Sequence, residues 1–242
     1  MSFGAKYTNT RVYDIMTTLI LVRHGQSVAN AQHRFAGHSN FDLTDIGREQ
    51  ARLAGEYLFK NFKIDAIYAS DLKRAYHTAL PTAKLFGLTV EKRERLREIF
   101  AGEWETLTVD EIDEQYTEDF AVWKNDFSNA RCTDGESVTE LYHRACREIL
   151  SIAAENDGKC VMIATHATPV RVFETMSRGL GPECLGDISF PKNAAIGVFE
   201  VEDGKPKVVR VNITDHTDPY MKTLSDEAAV NVFQISKEEP SK

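Results

Sequence analysis

The segment that decides the fold is Thr18-Leu19-Ile20-Leu21-Val22-Arg23-His24-Gly25-Gln26-Ser27. Its four consecutive aliphatic residues predict a buried parallel strand, because such a strand is covered on both faces. The run ends at Arg23-His24, and the carboxyl end of a strand is where open α/β sheets bind ligands. Gly25 lets the backbone turn there and approach a bound group. Taken alone, these residues fit equally well an arginine that caps a sheet edge and a histidine hydrogen-bonded in a turn.

Composition narrows the class of protein. The chain has 242 residues, 42% of them hydrophobic and 27% charged, which is typical of an ordinary globular protein with one large domain. The net charge of −8 argues against a nucleic-acid or anionic-membrane partner held by bulk electrostatics. The four cysteines form no C-x-x-C pair, which favours free thiols in a reducing compartment over disulfides or a zinc site.

The ends of the chain are predicted to lie outside the core. Residues 1–15 show neither hydrophobic periodicity nor the apolar region of a signal peptide, so we interpret them as an N-terminal extension. Residues 16–242 are predicted to form a single domain with a C-terminal tail from about residue 215. No apolar run reaches the roughly 18 residues that a membrane helix needs. We therefore expect a cytoplasmic protein.

Strand and helix patterns alternate along the chain. Strands are predicted at 18–22, 64–69, 88–90, 159–164, 194–202 and 207–213, the last two joined by a hairpin turn at Asp203-Gly204. Helices are predicted after Thr44, after a cap at Ser70-Asp71, over 108–116 and 118–127, after the capping box of Ser137 and Glu140, and from Thr168-Pro169. Pro81 is expected to kink its helix or open a turn. The alternation predicts a three-layer α/β/α sandwich with a mostly parallel central sheet.

Charged and polar residues follow several of these strands. Neighbouring parallel strands deliver their carboxyl ends to one edge of a sheet, so the following residues are expected to converge: Arg23, His24, Arg74, Glu98 and His166. Two arginines are a natural clamp for a phosphate group. A neutral imidazole is a competent nucleophile, and a carboxyl group can donate a proton to a leaving oxygen. The set therefore favours phosphoryl chemistry.

At these residues the chain resembles the histidine phosphatase (phosphoglycerate mutase-like) superfamily. The motifs that carry the resemblance lie in the family's order between residues 18 and 213: LVRHGQS (21–27) with Asn30, LTDIGREQA (43–51), SDLKRA (70–75), Glu98 with GEWE (102–105), GES (135–137) and Thr165-His166. The resemblance implies the family's α/β fold. It also implies a site without metal or other cofactor, and a small phosphate ester as the substrate.

The resemblance also assigns roles to particular residues. It implies that His24 is phosphorylated during turnover and that Glu98 is the proton donor. The phosphate pocket would be lined by Arg23, Asn30, Arg74 and His166, together with the backbone at Ala167. Ala167-Thr168 stands where relatives usually carry glycines, so a slightly narrower pocket is expected if the amide of Ala167 faces the phosphate. Asp42 stands where relatives often carry proline, which affects the rim of the site.

Both phosphatases and mutases occur in this family. The cofactor-dependent mutases carry a tyrosine-glycine element just after the glutamate, whereas this chain has Ile99-Phe100-Ala101-Gly102. The Gly-x-Trp-Glu form is more similar to the phosphatase branch, which favours hydrolysis. A mutase-type phosphotransferase and a non-catalytic binding protein of the same fold stay open as alternatives, and so does a homodimer.

Other candidates have weaker support. His38, Ser39 and Phe41 follow the first motif and are candidates for substrate contact, as is His216 from the tail. The basic run over 92–97 is interleaved with glutamates, so a self-paired, solvated segment is favoured over a role in steering the substrate. Trp104, Phe100 and Trp123 are interpreted as core residues. The C-x5-R loop of cysteine phosphatases is absent from the sequence.

Overall fold

The computed structural model describes residues 16–217. The strands in this range are β1 (Thr17–Arg23), β2 (Ala66–Ala69), β3 (Val90–Lys92), β4 (Cys160–Thr165), β5 (Ile196–Glu202) and β6 (Lys205–Ile213). The α-helices are α1 (Val28–Ala31), α2 (Asp45–Asn61), α3 (Lys73–Phe86), α4 (Val109–Gln115), α5 (Thr117–Asn125), α6 (Val138–Glu155) and α7 (Ala167–Ser177). The predicted N-terminal extension, residues 1–15, and the part of the predicted tail beyond residue 217 lie outside the described residues.

The strands form one sheet in the order β3-β2-β4-β1-β5-β6. Strands β3, β2, β4 and β1 are parallel, and β5 joins β1 in the antiparallel direction before β6 returns beside it. The prediction of a mostly parallel sheet is confirmed. The hairpin at Asp203-Gly204 is confirmed as well, with Glu202 paired to Lys205.

Two hydrophobic cores cover the two faces of the sheet. Leu19 and Leu21 of β1 belong to the core that contains residues of α6 and α7, whereas Ile20 and Val22 belong to the core beneath α2 and α3. All four side chains are fully buried. The unbroken aliphatic run follows from this arrangement, because alternate side chains enter opposite cores. The three-layer α/β/α prediction is confirmed.

Local capping signals placed two of the long helices correctly. The Thr44 side chain accepts a hydrogen bond from the amide of Gly47 at the start of α2. At α6, Ser137 accepts from the amide of Glu140 while the Glu140 carboxylate accepts from the amide of Ser137. Each cap satisfies amides that the helix itself leaves without an acceptor.

Three local predictions need correction. Helix α3 begins after Leu72 without a side-chain cap, because the Asp71 carboxylate pairs with the Arg97 guanidinium instead. Pro81 opens no turn, because helix α3 continues through it from Lys73 to Phe86, and the kink stays a prediction. Helix α7 begins at Ala167, one residue earlier than predicted, so that Pro169 still lies in the first turn, where its missing amide proton costs least.

The topology brings the ends of three strands together. Arg23 at the end of β1 is in register with Thr165 at the end of β4, so His24 and His166 follow adjacent strands. Strand β2 pairs with the other side of β4 and is followed by Ser70. The residues that continue these three strands therefore meet at one edge of the sheet.

Candidate active site

His24 lies immediately after β1 and is 5% exposed. Its ring Nδ1 lies 2.7 Å from the carbonyl oxygen of Gly25. Because a carbonyl can only accept, Nδ1 carries the proton of the neutral ring and Nε2 carries the free electron pair. This contact with its own neighbour selects the tautomer in which Nε2 can act as a nucleophile.

His166 lies beside His24 after β4. The two ring centroids are 5.2 Å apart, with the ring planes inclined at 65°. Burial lowers the pKa of His24 well below its usual value, and the positive charges of Arg74 and Arg23 lower it further. Burial also lowers the pKa of His166, with Arg74 as the next contributor. Both rings are therefore neutral near pH 7.

Two buried arginines flank the histidines. Arg23 donates from Nη1 to the carbonyl of Pro191 at 2.6 Å, and Arg74 donates from its two Nη atoms to the carbonyls of Gly37 and Ser39. Burial lowers the pKa of each arginine to about 10, although the negative charge of Glu98 opposes the shift. The site thus holds two positive charges at neutral pH in surroundings that screen them little.

Several buried nitrogen atoms of this cluster lack a hydrogen-bond partner among the described residues. They are Nε of Arg23, Nε of Arg74 and Nδ1 of His166. A buried donor without an acceptor is costly, and native proteins concentrate such groups at functional sites. Each of these nitrogen atoms is therefore a candidate donor to an oxygen of an anionic ligand.

Glu98 is half-buried, and its carboxylate lies between two segments of the site. Oε1 accepts from the amide of Ile99 at 2.9 Å, and Oε2 is 3.3 Å from the amide of Thr168 in the first turn of α7. The charge of Glu98 reaches both Arg23 and Arg74, since it raises the pKa of each. The carboxylate is thus part of the same electrostatic cluster.

Asn30 and Ala167 occupy the margins of the cluster. The side-chain oxygen of Asn30 accepts from the amide and the hydroxyl of Ser27, which closes the turn after the first motif. Ala167 is the first residue of α7 and is buried. The first amides of a helix have no intrahelical acceptor, so this terminus is suited to an anion.

Sequence reasoning missed three side chains that support the histidines. Asn193 is buried and donates from Nδ2 to the carbonyl of His24 at 3.1 Å and to Oδ1 of Asn30 at 3.3 Å. The Ser70 hydroxyl lies 2.9 Å from Nε2 of His166. Thr78 accepts from the amide of Gly25. No local pattern marks these contacts, because each joins segments that are distant in the sequence.

The weaker candidates have different surroundings. His38 Nε2 lies 3.0 Å from the backbone carbonyl of Glu98, so the loop after the first motif does reach the site. His216 Nε2 lies 3.0 Å from the carbonyl of Ala194, whose amide donates to the carbonyl of His24. Trp104 and Trp123 are buried in the core as predicted, whereas Phe100 is 42% exposed against the His38 ring.

The predicted self-pairing of the basic run is confirmed for Arg93 and Arg97. Arg93 forms ion pairs with Glu91, Glu148 and Glu155. Arg97 pairs with Asp71 and with Glu94.

Within residues 16–217, no group of three or more histidine, cysteine or acidic residues is placed to hold a metal ion. Over the same residues, no helix has the length and apolarity needed to cross a membrane.

We expect the protein to lose stability as the pH falls below about 6.5. The folded state holds the pKa of His24 and His166 well below the usual value, and that of His38 is also lowered. Unfolding therefore takes up protons below pH 6.5, and each proton reduces the free energy of unfolding by up to about 1.4 kcal/mol per pH unit. Urea denaturation at pH 7.5, 6.5 and 5.5, in buffers without phosphate, measures the slope.

The control for this pH dependence is the double variant His24→Gln, His166→Gln, in which the slope should be smaller. The pKa values of some carboxyl groups, such as those of Asp42 and Asp71, are also lowered. Their contribution to the free energy of unfolding is lost only at a pH more acidic than the interval from 7.5 to 5.5. A free energy of unfolding that stays constant or rises from pH 7.5 to 5.5 would show that the histidines are not held neutral.

Comparison with known proteins identifies the family. The model of the histidine phosphatase superfamily (branch 1) matches residues 19–214. The chain therefore belongs to this superfamily. It is 32% identical to phosphoserine phosphatase 1 of Hydrogenobacter thermophilus over 205 residues, which cover 85% of this chain and 96% of that protein. The predictions of the family and of a phosphatase enzyme are confirmed.

Two further similarities agree with this assignment. The chain is 39% identical to glucosyl-3-phosphoglycerate phosphatase of Mycolicibacterium vanbaalenii over 168 residues, or 67% of this chain and 74% of that protein. Among solved structures, Bacillus stearothermophilus YhfR superposes with a TM-score of 0.77 at 29% identity, covering 83% of this chain and 98% of that one.

Proposed function

We propose that this protein hydrolyses the phosphate ester of a small metabolite through a phosphohistidine intermediate on Nε2 of His24, without a metal ion. The observation that carries the proposal is the state of His24. Its ring is buried and neutral, its Nδ1–H is bound to Gly25, and its Nε2 is left as the free nucleophilic atom. Two buried arginines and a second neutral histidine lie in the same cluster.

The first step transfers the phosphoryl group to the enzyme. Nε2 of His24 attacks phosphorus, and the bond from phosphorus to the ester oxygen breaks in line with it. Glu98 gives its proton to the leaving oxygen. Arg23 and Arg74 stabilise the charge on the equatorial oxygens, a contribution that is usually the largest in phosphoryl transfer.

His166 contributes through its second ring nitrogen. The Ser70 hydroxyl lies 2.9 Å from Nε2 of His166 and can donate to it. In that tautomer Nδ1 carries the proton of the neutral ring, and Nδ1 is the buried atom without a partner among the described residues. His166 thus donates a hydrogen bond to the phosphoryl group without adding a full charge.

The second step releases phosphate. The Glu98 carboxylate takes a proton from water, and the water oxygen attacks phosphorus. The phosphorus–nitrogen bond breaks, its electron pair returns to Nε2 of His24, and Glu98 is protonated for the next turnover. One residue serves as acid and then as base, because the attacking water takes the position that the leaving oxygen has vacated.

The substrate is proposed to be a small phosphorylated metabolite. Relatives named phosphoserine phosphatase and glucosyl-3-phosphoglycerate phosphatase support this class of molecule. The cytoplasmic location, the homodimer and the single-domain organisation stay predictions. The mutase alternative is tested by the products, because a hydrolase releases inorganic phosphate whereas a mutase retains the phosphoryl group.

Glu98→Gln should separate the two roles of this carboxyl. The amide cannot protonate a leaving group, so the first step should slow by about 10²–10⁴-fold for an alkyl phosphate but little for p-nitrophenyl phosphate. Water attack also loses its base. With p-nitrophenyl phosphate we therefore expect a rapid burst of up to one equivalent of p-nitrophenol, followed by slow turnover. Rapid-quench kinetics measures both phases, and mass spectrometry locates the phosphoryl group.

The matched control is Glu118→Gln, which changes an exposed carboxylate on α5 and should leave both phases unchanged. An equal loss of the first step for alkyl and p-nitrophenyl esters would refute Glu98 as the acid. A burst without phosphate on His24 would refute the phosphohistidine, even if phosphate is released.

A further inference from the structure

Glu105 is a half-buried carboxylate that the proposed mechanism does not use. It accepts four hydrogen bonds, three of them from the loop beside the site (residues 37–39). Its Oε1 accepts from the amide of His38 at 2.6 Å and is 3.3 Å from the amide of Ala101. Its Oε2 accepts from the amide of Ser39 at 2.7 Å and also from the Ser39 hydroxyl. Both carboxylate oxygens therefore accept from backbone amides. Two of these amides belong to the loop (His38 and Ser39), and one belongs to the segment that carries Glu105 (Ala101).

The loop approaches Glu105 closely because of Gly37. This residue has φ of +45°, in the left-handed region that favours glycine. A Cβ atom at position 37 would lie 2.2 Å from Oε1 of Glu105, closer than any contact allows. The conformation of the loop and the position of the carboxylate therefore depend on each other.

The same loop binds Arg74 from its other side. Arg74 donates from Nη2 to the carbonyl of Gly37 at 2.7 Å and from Nη1 to the carbonyl of Ser39 at 2.8 Å. The carbonyl of Gly37 and the amide of His38 belong to one peptide group, so this group accepts from Arg74 and donates to Glu105 at once. Hydrogen bonds in such a chain polarise and strengthen one another.

We propose that Glu105 is a positioning residue that holds the guanidinium of Arg74 in place for the phosphoryl group through the Gly37–His38 peptide. Its charge also acts on Arg74 directly, since it raises the pKa that burial lowers. The loop carries a second link, because His38 Nε2 contacts the carbonyl of Glu98. One carboxylate therefore orders the segment that touches both the proposed clamp and the proposed acid.

The alternative is that Glu105 only stabilises the loop. A structural role alone would lower activity by the same factor whether or not Arg74 is present. A role through Arg74 predicts instead that the effect of losing Glu105 largely disappears once Arg74 is gone. A double-mutant cycle of Glu105 and Arg74 therefore distinguishes the two roles. The inference rests on the proposed function only in assigning the anion bound by Arg74 as the phosphoryl group.

The test uses Glu105→Gln, Arg74→Ala and the double variant of the full chain. The probes are the Kd of inorganic vanadate and kcat/KM for p-nitrophenyl phosphate. Glutamine keeps the shape of the side chain but loses the charge and one of the two acceptors. We expect the vanadate Kd to rise about 10- to 100-fold in Glu105→Gln, in line with the cost of a small misplacement of a binding group. In the Arg74→Ala background, Glu105→Gln should change the vanadate Kd by less than about threefold, much less than in the wild-type background.

Two controls complete the cycle. Glu103→Gln removes an exposed carboxylate two residues away and should leave both probes unchanged. Urea denaturation of each variant shows whether it is folded. Equal fold-losses in the wild-type and Arg74→Ala backgrounds, or an unchanged vanadate Kd in Glu105→Gln, would overturn the inference. Vanadate binding does not require turnover, so a wild type that binds vanadate but hydrolyses nothing would contradict the proposed function and still test the role of Glu105.

Discussion

His24→Ala is expected to abolish release of inorganic phosphate from p-nitrophenyl phosphate. Loss of a covalent nucleophile lowers kcat by about 10⁴–10⁶-fold, because the remaining groups can bind and polarise the substrate but cannot accept its phosphoryl group. The assay is run with EDTA, so that a contaminating metal-dependent phosphatase does not contribute. Wild-type release under these conditions, with none from the variant, is the expected result.

The matched control for His24→Ala is His143→Ala, which removes an exposed histidine on α6 and should keep full activity. The buried Arg23 and Arg74 remain in this variant, so it should still bind vanadate. A vanadate-dependent rise in Tm would show that its pocket is intact. Substantial activity in a folded His24→Ala protein would exclude the phosphohistidine mechanism. If the wild type releases no phosphate, the next assay should measure the interconversion of phosphoglycerates.

Arg74→Ala should impair both substrate binding and the chemical step. The guanidinium is fully buried, and its charge is held near the two histidines, where it lowers the pKa of both. Removal of one preorganised donor from such a site costs about 10²–10³-fold in rate. We therefore expect kcat/KM for p-nitrophenyl phosphate to fall by at least this factor, and vanadate to raise the Tm little.

Arg74→Lys gives the sharper comparison. Lysine keeps the positive charge but lacks the planar fork that reaches the carbonyls of Gly37 and Ser39 at the same time. We expect an activity between those of wild type and Arg74→Ala. Arg52→Ala, on the exposed surface of α2, is the control for loss of an arginine. Full activity of Arg74→Ala would refute the arginine clamp.

The net charge of −8 bears on the role proposed for these arginines. An anionic substrate is repelled by the average charge of the chain, so in the proposed mechanism its attraction comes from the local field of Arg23 and Arg74. Arg23 and Arg74 are buried at 3% and 0% exposure, and their field is therefore weakly screened by salt. The carbonyls of Pro191, Gly37 and Ser39 accept from these two guanidinium groups and so compensate part of the loss of hydration.

Local signals explain which helices were predicted correctly. Thr44 and the Ser137–Glu140 box act within one helical turn, so their effect is contained in a few neighbouring residues. The cap predicted at Asp71 was wrong because Arg97, 26 residues later, binds that carboxylate. A long-range ion pair overrode the local preference, and nothing near Asp71 in the sequence indicates it.

The sequence by itself determined the α/β sandwich and the edge of the sheet at which the candidate site residues meet. Hydrophobic periodicity and strand order act through burial and chain direction, and both can be inferred from residue types alone. Only the tertiary structure decided how the site is held: the tautomer of His24, the contact of Ser70 with His166, the role of Asn193 and the bridge from Glu105 to Arg74. Most of these contacts join residues that are far apart in the chain, and all of them depend on hydrogen-bond geometry of a few tenths of an ångström, which no residue pattern encodes.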